Sequence, residues 1–238
     1  MGRGPSIEGR KNAEDARRGK IFTKLIREIT IAARNGADPS SNGRLRVAMD
    51  KALAANMSKD TMERALRRGS GAEGADDMQE LRYEGYGPSG VALIIDAMTD
   101  NPVRTVAEVR HALSKHGGNL GTSGSVAFQF KQLGELVFDS HVAGSEDCIL
   151  ESALDAGADD VIAQAGTSTV LCAPEQFEAV KRALRESGFE PLRADVVMRP
   201  ENRVEVTGET EETLRDLLDW LEELDDVQEV YHNAALGD

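Results

Sequence analysis

Phe22, Leu25, Ile26, Ile29 and Ala33 recur at three- and four-residue spacing, and at about 100° per residue they share one side of a helix. On the same wheel Arg17, Lys20, Lys24, Arg27 and Arg34 fill an arc of roughly 100° on the other side, where substitutions should cost little stability. Asp38-Pro39-Ser40-Ser41-Asn42-Gly43 interrupts the pattern. A second helix follows, with Leu45, Met49, Ala52 and Leu53 apolar and Arg44, Arg46 and Lys51 outside. Ser58 is placed to cap a third helix through Met62, Ala65 and Leu66, which closes on Arg67-Arg68-Gly69 with cations at its C-terminus. Gly69-Ser70-Gly71-Ala72-Glu73-Gly74 then reads as a linker.

Beyond it the period alternates between two and 3.6. Strands are expected at 81–86, 91–96, 125–130, 135–138, 159–163, 168–172, 190–198, 203–207 and 227–231, and helices at 102–116, 145–156, 174–187 and 210–224. Asn101-Pro102 gives the first of these helices an N-cap and a proline at its first position. The segments from 135 to 198 form a complete β-α-β-β-α-β unit, the ferredoxin-like order. The segments flanking them form a second such order, interrupted between its middle strands. The fold class is therefore α+β: a basic helical domain over 1–75, a discontinuous α/β domain over 80–132 and 201–238, and a ferredoxin-like domain over 133–200 inserted in it. One continuous mixed sheet is the alternative reading.

Charge changes the picture. The chain of 238 residues carries a net charge of −14, which taken alone argues against nucleic acid. Residues 1–70, however, hold 16 Lys+Arg against 8 Asp+Glu, leaving the remainder at 12 against 34. A basic module on an acidic body can bind phosphate locally while the body limits non-specific coating. With 4% aromatic residues the cores must be aliphatic. No apolar run reaches the length of a membrane span, the N-terminus shows no secretory h-region, and the two cysteines exclude a disulfide framework. A cytoplasmic, monomeric protein without cofactor or metal is expected.

Chemistry-bearing motifs are few. Gly118-Asn119-Leu120-Gly121-Thr122-Ser123-Gly124-Ser125 has phosphate-loop spacing, but it follows a helix and precedes a strand, the reverse of a nucleotide loop, and lacks Gly-Lys-Ser/Thr. It is either an exposed loop touching RNA backbone or protein, through Gly118, Asn119, Gly121, Thr122, Ser123 and Gly124, or a structural connection. Asp100, Arg104 and Thr105 surround a helix start and suit capping and local ion pairing. His111 and His116 lie roughly 140° apart on a helix and cannot share a metal from one face. Cys148 and Cys172 sit in apolar patterns and are expected as core thiols. No nucleophile elbow or H-E-x-x-H occurs, so no catalytic residue is proposed.

Four segments carry a family resemblance: Asp15-Ala16-Arg17-Arg18-Gly19-Lys20-Ile21-Phe22-Thr23-Lys24-Leu25-Ile26-Arg27-Glu28-Ile29, Met49-Asp50-Lys51-Ala52-Leu53-Ala54-Ala55-Asn56-Met57, Tyr83-Glu84-Gly85-Tyr86-Gly87-Pro88, and Gly117 to Val126. The chain resembles the YebC family over essentially its whole length. The resemblance implies a helical domain followed by two α/β domains. The family includes a mitochondrial translational activator of cytochrome oxidase subunit one. Its bacterial members carry the label of probable DNA-binding transcriptional regulators, and others resemble ribosome-associated factors that help synthesis through proline-rich stretches. Many members begin Gly-His-Ser-Lys-Trp; here Gly2-Arg3-Gly4-Pro5-Ser6-Ile7-Glu8-Gly9-Arg10 stands instead, so stacking by that tryptophan does not carry over.

The expected function is a non-enzymatic gene-expression factor. Its nucleic-acid-binding residues are expected to be Arg10, Lys11, Arg17, Arg18, Lys20, Lys24, Arg27, Arg34, Arg44, Arg46, Arg67 and Arg68. Ribosomal RNA on the ribosome is the preferred target. A DNA-binding regulator is the alternative, weakened by the lack of a convincing recognition helix.

Overall fold

The computed structural model describes residues 7–72, 77–140, 145–164 and 166–237, with the side chains of 7–15 and 145 left aside. Residues 73–76 of the expected linker and the N-terminal segment before Ile7 therefore lie outside the described residues. The chain divides into two compact units: the chain up to Ser125 with 206–230 and the last residues from Leu236, and 126–205 with 231–235.

The first unit starts with three helices, α1 (Ile7–Ala33), α2 (Gly43–Ala54) and α3 (Lys59–Gly69). Leu25, Ile29, Ala32 and Ala33 of α1 pack with Leu45, Ala48, Ala52, Met62 and Ala65 in one aliphatic core, and Phe22 and Ile26 border it. Both caps follow from side-chain chemistry. The Ser58 hydroxyl accepts from Thr61 N at 3.3 Å. The Asn42 carboxamide accepts from Leu45 N at 3.0 Å and donates to Ala32 O and Gly36 O, at 2.8 and 2.7 Å. That side chain therefore starts α2 and ties it to the end of α1.

The same unit carries a sheet of β1 (Gln79–Tyr86), β2 (Ala92–Thr99), β3 (Asn119–Leu120) and, up to Val230, β9 (Val227–His232), in the order β3-β1-β2-β9. Helices α4 (Pro102–Lys115) and α7 (Glu209–Glu223) complete it. This is the ferredoxin-like strand order with one substitution. The place expected for 203–207 is taken by β1, which forms an antiparallel hairpin with β2 from Gln79↔Thr99 to Tyr86↔Ala92. Strand β8 (Val204–Glu205) instead pairs in parallel with β10 (Ala234–Ala235) in the second unit. Nor is 125–130 a strand: Ala127–Gln129 is a 3-10 turn, and pairing begins at Phe130.

The second unit holds β4 (Phe130–Asp139), α5 (Ser145–Asp155), β5 (Asp160–Gln164), β6 (Thr167–Cys172), α6 (Phe177–Glu186) and β7 (Arg193–Pro200). Its sheet order β5-β6-β4-β7 is ferredoxin-like. Leu136, Phe138, Val170 and Cys172 point from the sheet to Ile149, Ala153, Val180 and Leu184 of the two helices. Phe130–Gln132, expected with the discontinuous domain, lie in β4 and pair with β7. The fold is thus α+β, with an N-terminal three-helix domain and two ferredoxin-like sheets.

Candidate nucleic-acid interface

The basic stripe of α1 does not face solvent along its whole length. Arg27 is the clearest departure from the expected exposed face: its side chain is 14% exposed. Its guanidinium donates to Met98 O at 2.9 Å, Asp225 O at 2.5 Å and Asp226 Oδ1 at 2.6 Å. Lys24 donates to Glu222 O at 3.2 Å, and Lys20 stands 3.4 Å from a Glu223 carboxylate oxygen. Burial pulls the Lys24 ammonium below its ordinary value, with Glu229 and Glu222 opposing. These three cations bind the helical domain to the end of α7, the turn that follows it and the end of β2.

Asp226 is the centre of that joint. Its carboxylate, 3% exposed, accepts from Arg27, from Arg104 at 2.8 Å, and from the hydroxyls of Thr105 and Thr99 at 2.7 and 3.2 Å. Burial alone would raise its pKa; the Thr105 hydroxyl and the Arg104 and Arg27 guanidinium groups outweigh that and hold it below the ordinary value. Burial, with Asp226 nearby, pushes the Tyr83 hydroxyl up. The helix start at 99–105 thus caps and pairs locally, through Asn101 Oδ1 accepting from Arg104 N and Asp100 against Arg104, both at 3.1 Å. It also supplies donors to an aspartate more than a hundred residues away, which local patterning has no means of revealing.

Other expected contact residues divide in two. Arg44 forms a bidentate pair with Glu80 of β1, which raises its pKa. Arg17, Arg18, Arg46 and Arg68 are exposed, and among the described residues none has a carboxylate at ion-pair distance. Arg18 lies 5.3 Å from the centre of the Phe22 ring. Arg34 and Arg67 are also exposed but have interactions within the chain. Arg10 and Lys11 lie on α1, with side chains outside the described residues. In α3 the first turn is acidic through Asp60, and Arg64 pairs with it at 2.9 Å. The exposed cations Arg67 and Arg68 lie at the other end of the helix.

The loop 117–125 is built against β1. Gly121 N donates to Glu84 O at 2.8 Å, Gly124 N to the buried Glu84 carboxylate at 2.7 Å, and the Tyr86 hydroxyl to Ser125 O at 3.0 Å. A side chain at Gly118 would place Cβ 2.3 Å from Tyr86 O, and Gly124 has φ +84°. These glycines let the loop lie on the strand and turn. Asn119, Thr122, Ser123 and Gly124 are exposed, while Gly118 and Gly121 are half-buried.

Of the two cysteines expected as core thiols, Cys172 is one and Cys148 is not. Cys172 is buried, and burial pushes its thiol up to about 11. Cys148 is exposed: the buried face of α5 runs through Ile149 and Ala153, leaving its neighbour outside. Among the described residues no His, Cys, Asp and Glu group of three or more is placed to hold a metal ion, and no helix is long and apolar enough to cross a membrane.

Comparison with known proteins agrees with this architecture. Residues 4–72 match the family model described as the TACO1/YebC protein N-terminal domain, and 78–234 that of the TACO1/YebC second and third domain. A protein of Xanthomonas campestris pv. campestris named "probable transcriptional regulatory protein" is 58% identical over all of both chains. A protein of the same name from Stenotrophomonas maltophilia is 55% identical, covering all of this chain and 98% of its own. The crystal structure of a conserved hypothetical protein from Aquifex aeolicus is 41% identical and superposes with a TM-score of 0.84, over 94% of this chain and 93% of that one. With both family models matched in chain order across nearly its whole length, the protein belongs to the TACO1/YebC family.

Proposed function

We propose that the protein is a non-enzymatic gene-expression factor that binds nucleic acid through its N-terminal helical domain, as a ribosome-associated translation factor that assists synthesis of difficult, proline-rich sequences. The observation that carries this reading is the segregation of charge. The helical domain keeps exposed arginines after its internal ion pairs are made, on a chain whose remainder is strongly acidic. We place the contact surface on Arg17, Arg18, Arg46, Arg67 and Arg68, with Arg10, Lys11 and Arg34 beside them and the exposed part of loop 117–125 as a second contact. Lys20, Lys24, Arg27 and Arg44 are assigned to holding the helical domain on the first sheet.

A DNA-binding transcriptional regulator is the second reading, favoured by the names of the Xanthomonas and Stenotrophomonas relatives. Helix α3 weighs against sequence-specific readout. Base-reading helices present donors from their first turn, whereas this one sets Lys59 beside Asp60 there, has Arg64 tied to Asp60, and carries its exposed Arg67 and Arg68 at the far end. Cations spread over three helices suit backbone contact on a shaped RNA.

The test replaces Arg17, Arg18, Arg46 and Arg68 with Gln. Co-sedimentation with ribosomes should disappear, and the salt dependence of binding to single-stranded RNA should fall in slope by about 3, at roughly 0.7 for each phosphate no longer neutralised. Unchanged association by the folded variant would remove the proposal.

A further inference from the structure

The chain's single tryptophan, Trp220, stands on α7 at 36% exposure, just outside the buried row Leu214, Leu217 and Leu221. It lines an open groove of about 670 Å³ together with His116, Asp216, Asp219, Glu223 and Leu224. His111 and His116 meet its ring edge-to-face, with centroids 5.7 and 5.4 Å away. Those contacts fix the indole from the α4 side and leave over a third of the residue open. The ring thus packs α7 against α4 with one part and leaves the rest open beside three carboxylates.

We infer that this groove is a docking site for an arginine-rich polypeptide segment of a partner protein. Four features of the site select that chemistry. Asp216, Asp219 and Glu223 repel phosphate, so the groove does not extend the RNA surface of the helical domain. An indole face accepts a guanidinium by stacking and cation–π attraction. The His116 Nδ1 lies 2.8 Å from Ala112 O, an acceptor, so Nδ1 carries the proton in the neutral ring and Nε2 can accept a further N–H. Finally, the chain already seats a cation on the rim, where the Lys20 ammonium stands 3.4 Å from Glu223. Arginine is favoured over lysine because its planar fork can stack on Trp220 and reach two carboxylates at once.

The assignment of the segment to a ribosomal partner rests on the proposed function; the groove's chemistry does not. Away from loop 117–125, the acidic faces of a body that approaches a ribosome are complementary to basic protein and repelled by RNA. The groove gives that body a specific place to meet such protein.

The experiment titrates the full-length protein with a nona-arginine peptide at physiological salt, reading Trp220 emission and, in parallel, the anisotropy of labelled peptide. Saturable change in Trp220 emission is expected. Asp216→Asn with Asp219→Asn should weaken binding about tenfold and Trp220→Leu about fivefold, while Glu178→Gln with Glu186→Gln on α6 should change it less than about twofold. Nona-lysine should bind more weakly than nona-arginine, and nona-glutamate should leave the emission unchanged. An emission that does not respond to saturating nona-arginine overturns the inference, however the variants fold. So does affinity in the folded groove variants equal to that of the parent, or saturation of the same signal by spermine at lower concentration than by the peptide. RNA binding measured on the same preparations separates this from the proposed function: RNA binding retained while the peptide fails overturns the groove alone, and peptide binding retained while RNA fails supports the groove and removes the nucleic-acid reading.

Discussion

Replacing Asp226 with Asn tests how the helical domain is held. Asp226 and Arg27 are 3% and 14% exposed, so their pair belongs with buried ion pairs, where removing one partner costs roughly 3–5 kcal/mol. Arg104 is 43% exposed, and its share is screened to below about 1 kcal/mol. Asparagine keeps the shape and one acceptor, which lowers the expected loss to about 3 kcal/mol. For a unit of this size that lowers Tm by roughly 6–12 °C. Trp220 lies in the same compact unit as Asp226, so urea unfolding followed by tryptophan emission reports on that unit directly. The pH dependence carries a sign. Asp226 is held below its ordinary value of 3.8, so its contribution is present above that value and is lost as pH falls through the lower folded value. The gap between parent and variant should therefore be constant from neutral pH down to about 5 and should close under acid conditions. A variant within about 0.5 kcal/mol of the parent at neutral pH, the ordinary range of surface changes, would refute the buried joint.

Three further predictions concern the rest of the chain. A thiol reagent at pH 8 should label one cysteine quickly, Cys148, and reach Cys172 only after unfolding, because the buried thiol stays protonated up to about 11; two rapid equivalents in the native protein would contradict this. Gly118→Ala should destabilise by about 1–3 kcal/mol through its collision with Tyr86 O, whereas Ser123→Ala on the exposed turn should stay within about 0.5 kcal/mol, both read by urea unfolding. Replacing 126–205 with a short Gly/Ser linker should leave a folded unit with a cooperative Trp220 transition, whereas deleting 133–200 cuts β4 in its middle and should give a less stable product; a non-cooperative transition in the first deletion would show that the two units depend on each other.

What is legible in the sequence is local. The spacing of Leu25, Ile29 and Ala33 locates the α1 core, and Ser58 and Asn101 mark helix starts because a short polar side chain there has one good use. Strand partners are not legible. Residues 203–207 have strand-like composition, yet β1 takes their place in the sheet, since pairing is decided by tertiary packing that a β-pattern does not encode. The candidate interface is half legible for the same reason. A helical wheel separates Arg17 and Arg27 from the apolar face of α1, but only the fold shows that Arg27 meets Asp226, 199 residues later. For Cys148 the wheel does hold the answer, against the expectation of a core thiol: Ile149 and Ala153 share a face that excludes it. Gly118 resembles a ligand-binding residue because close approach to a strand and close approach to phosphate demand the same absence of a side chain, and Gly124 because a turn with φ of +84° favours glycine with or without a ligand.

Crosslinking in cells, followed by sequencing of the nucleic acid bound to the parent and to the Arg17, Arg18, Arg46 and Arg68 variant, tests the proposed RNA-binding role most directly. Ribosomal RNA is expected as the dominant species, crosslinked through residues of α1 to α3 and absent from the variant. Enrichment of promoter DNA, or ribosomal RNA recovered equally from parent and variant, would contradict that role.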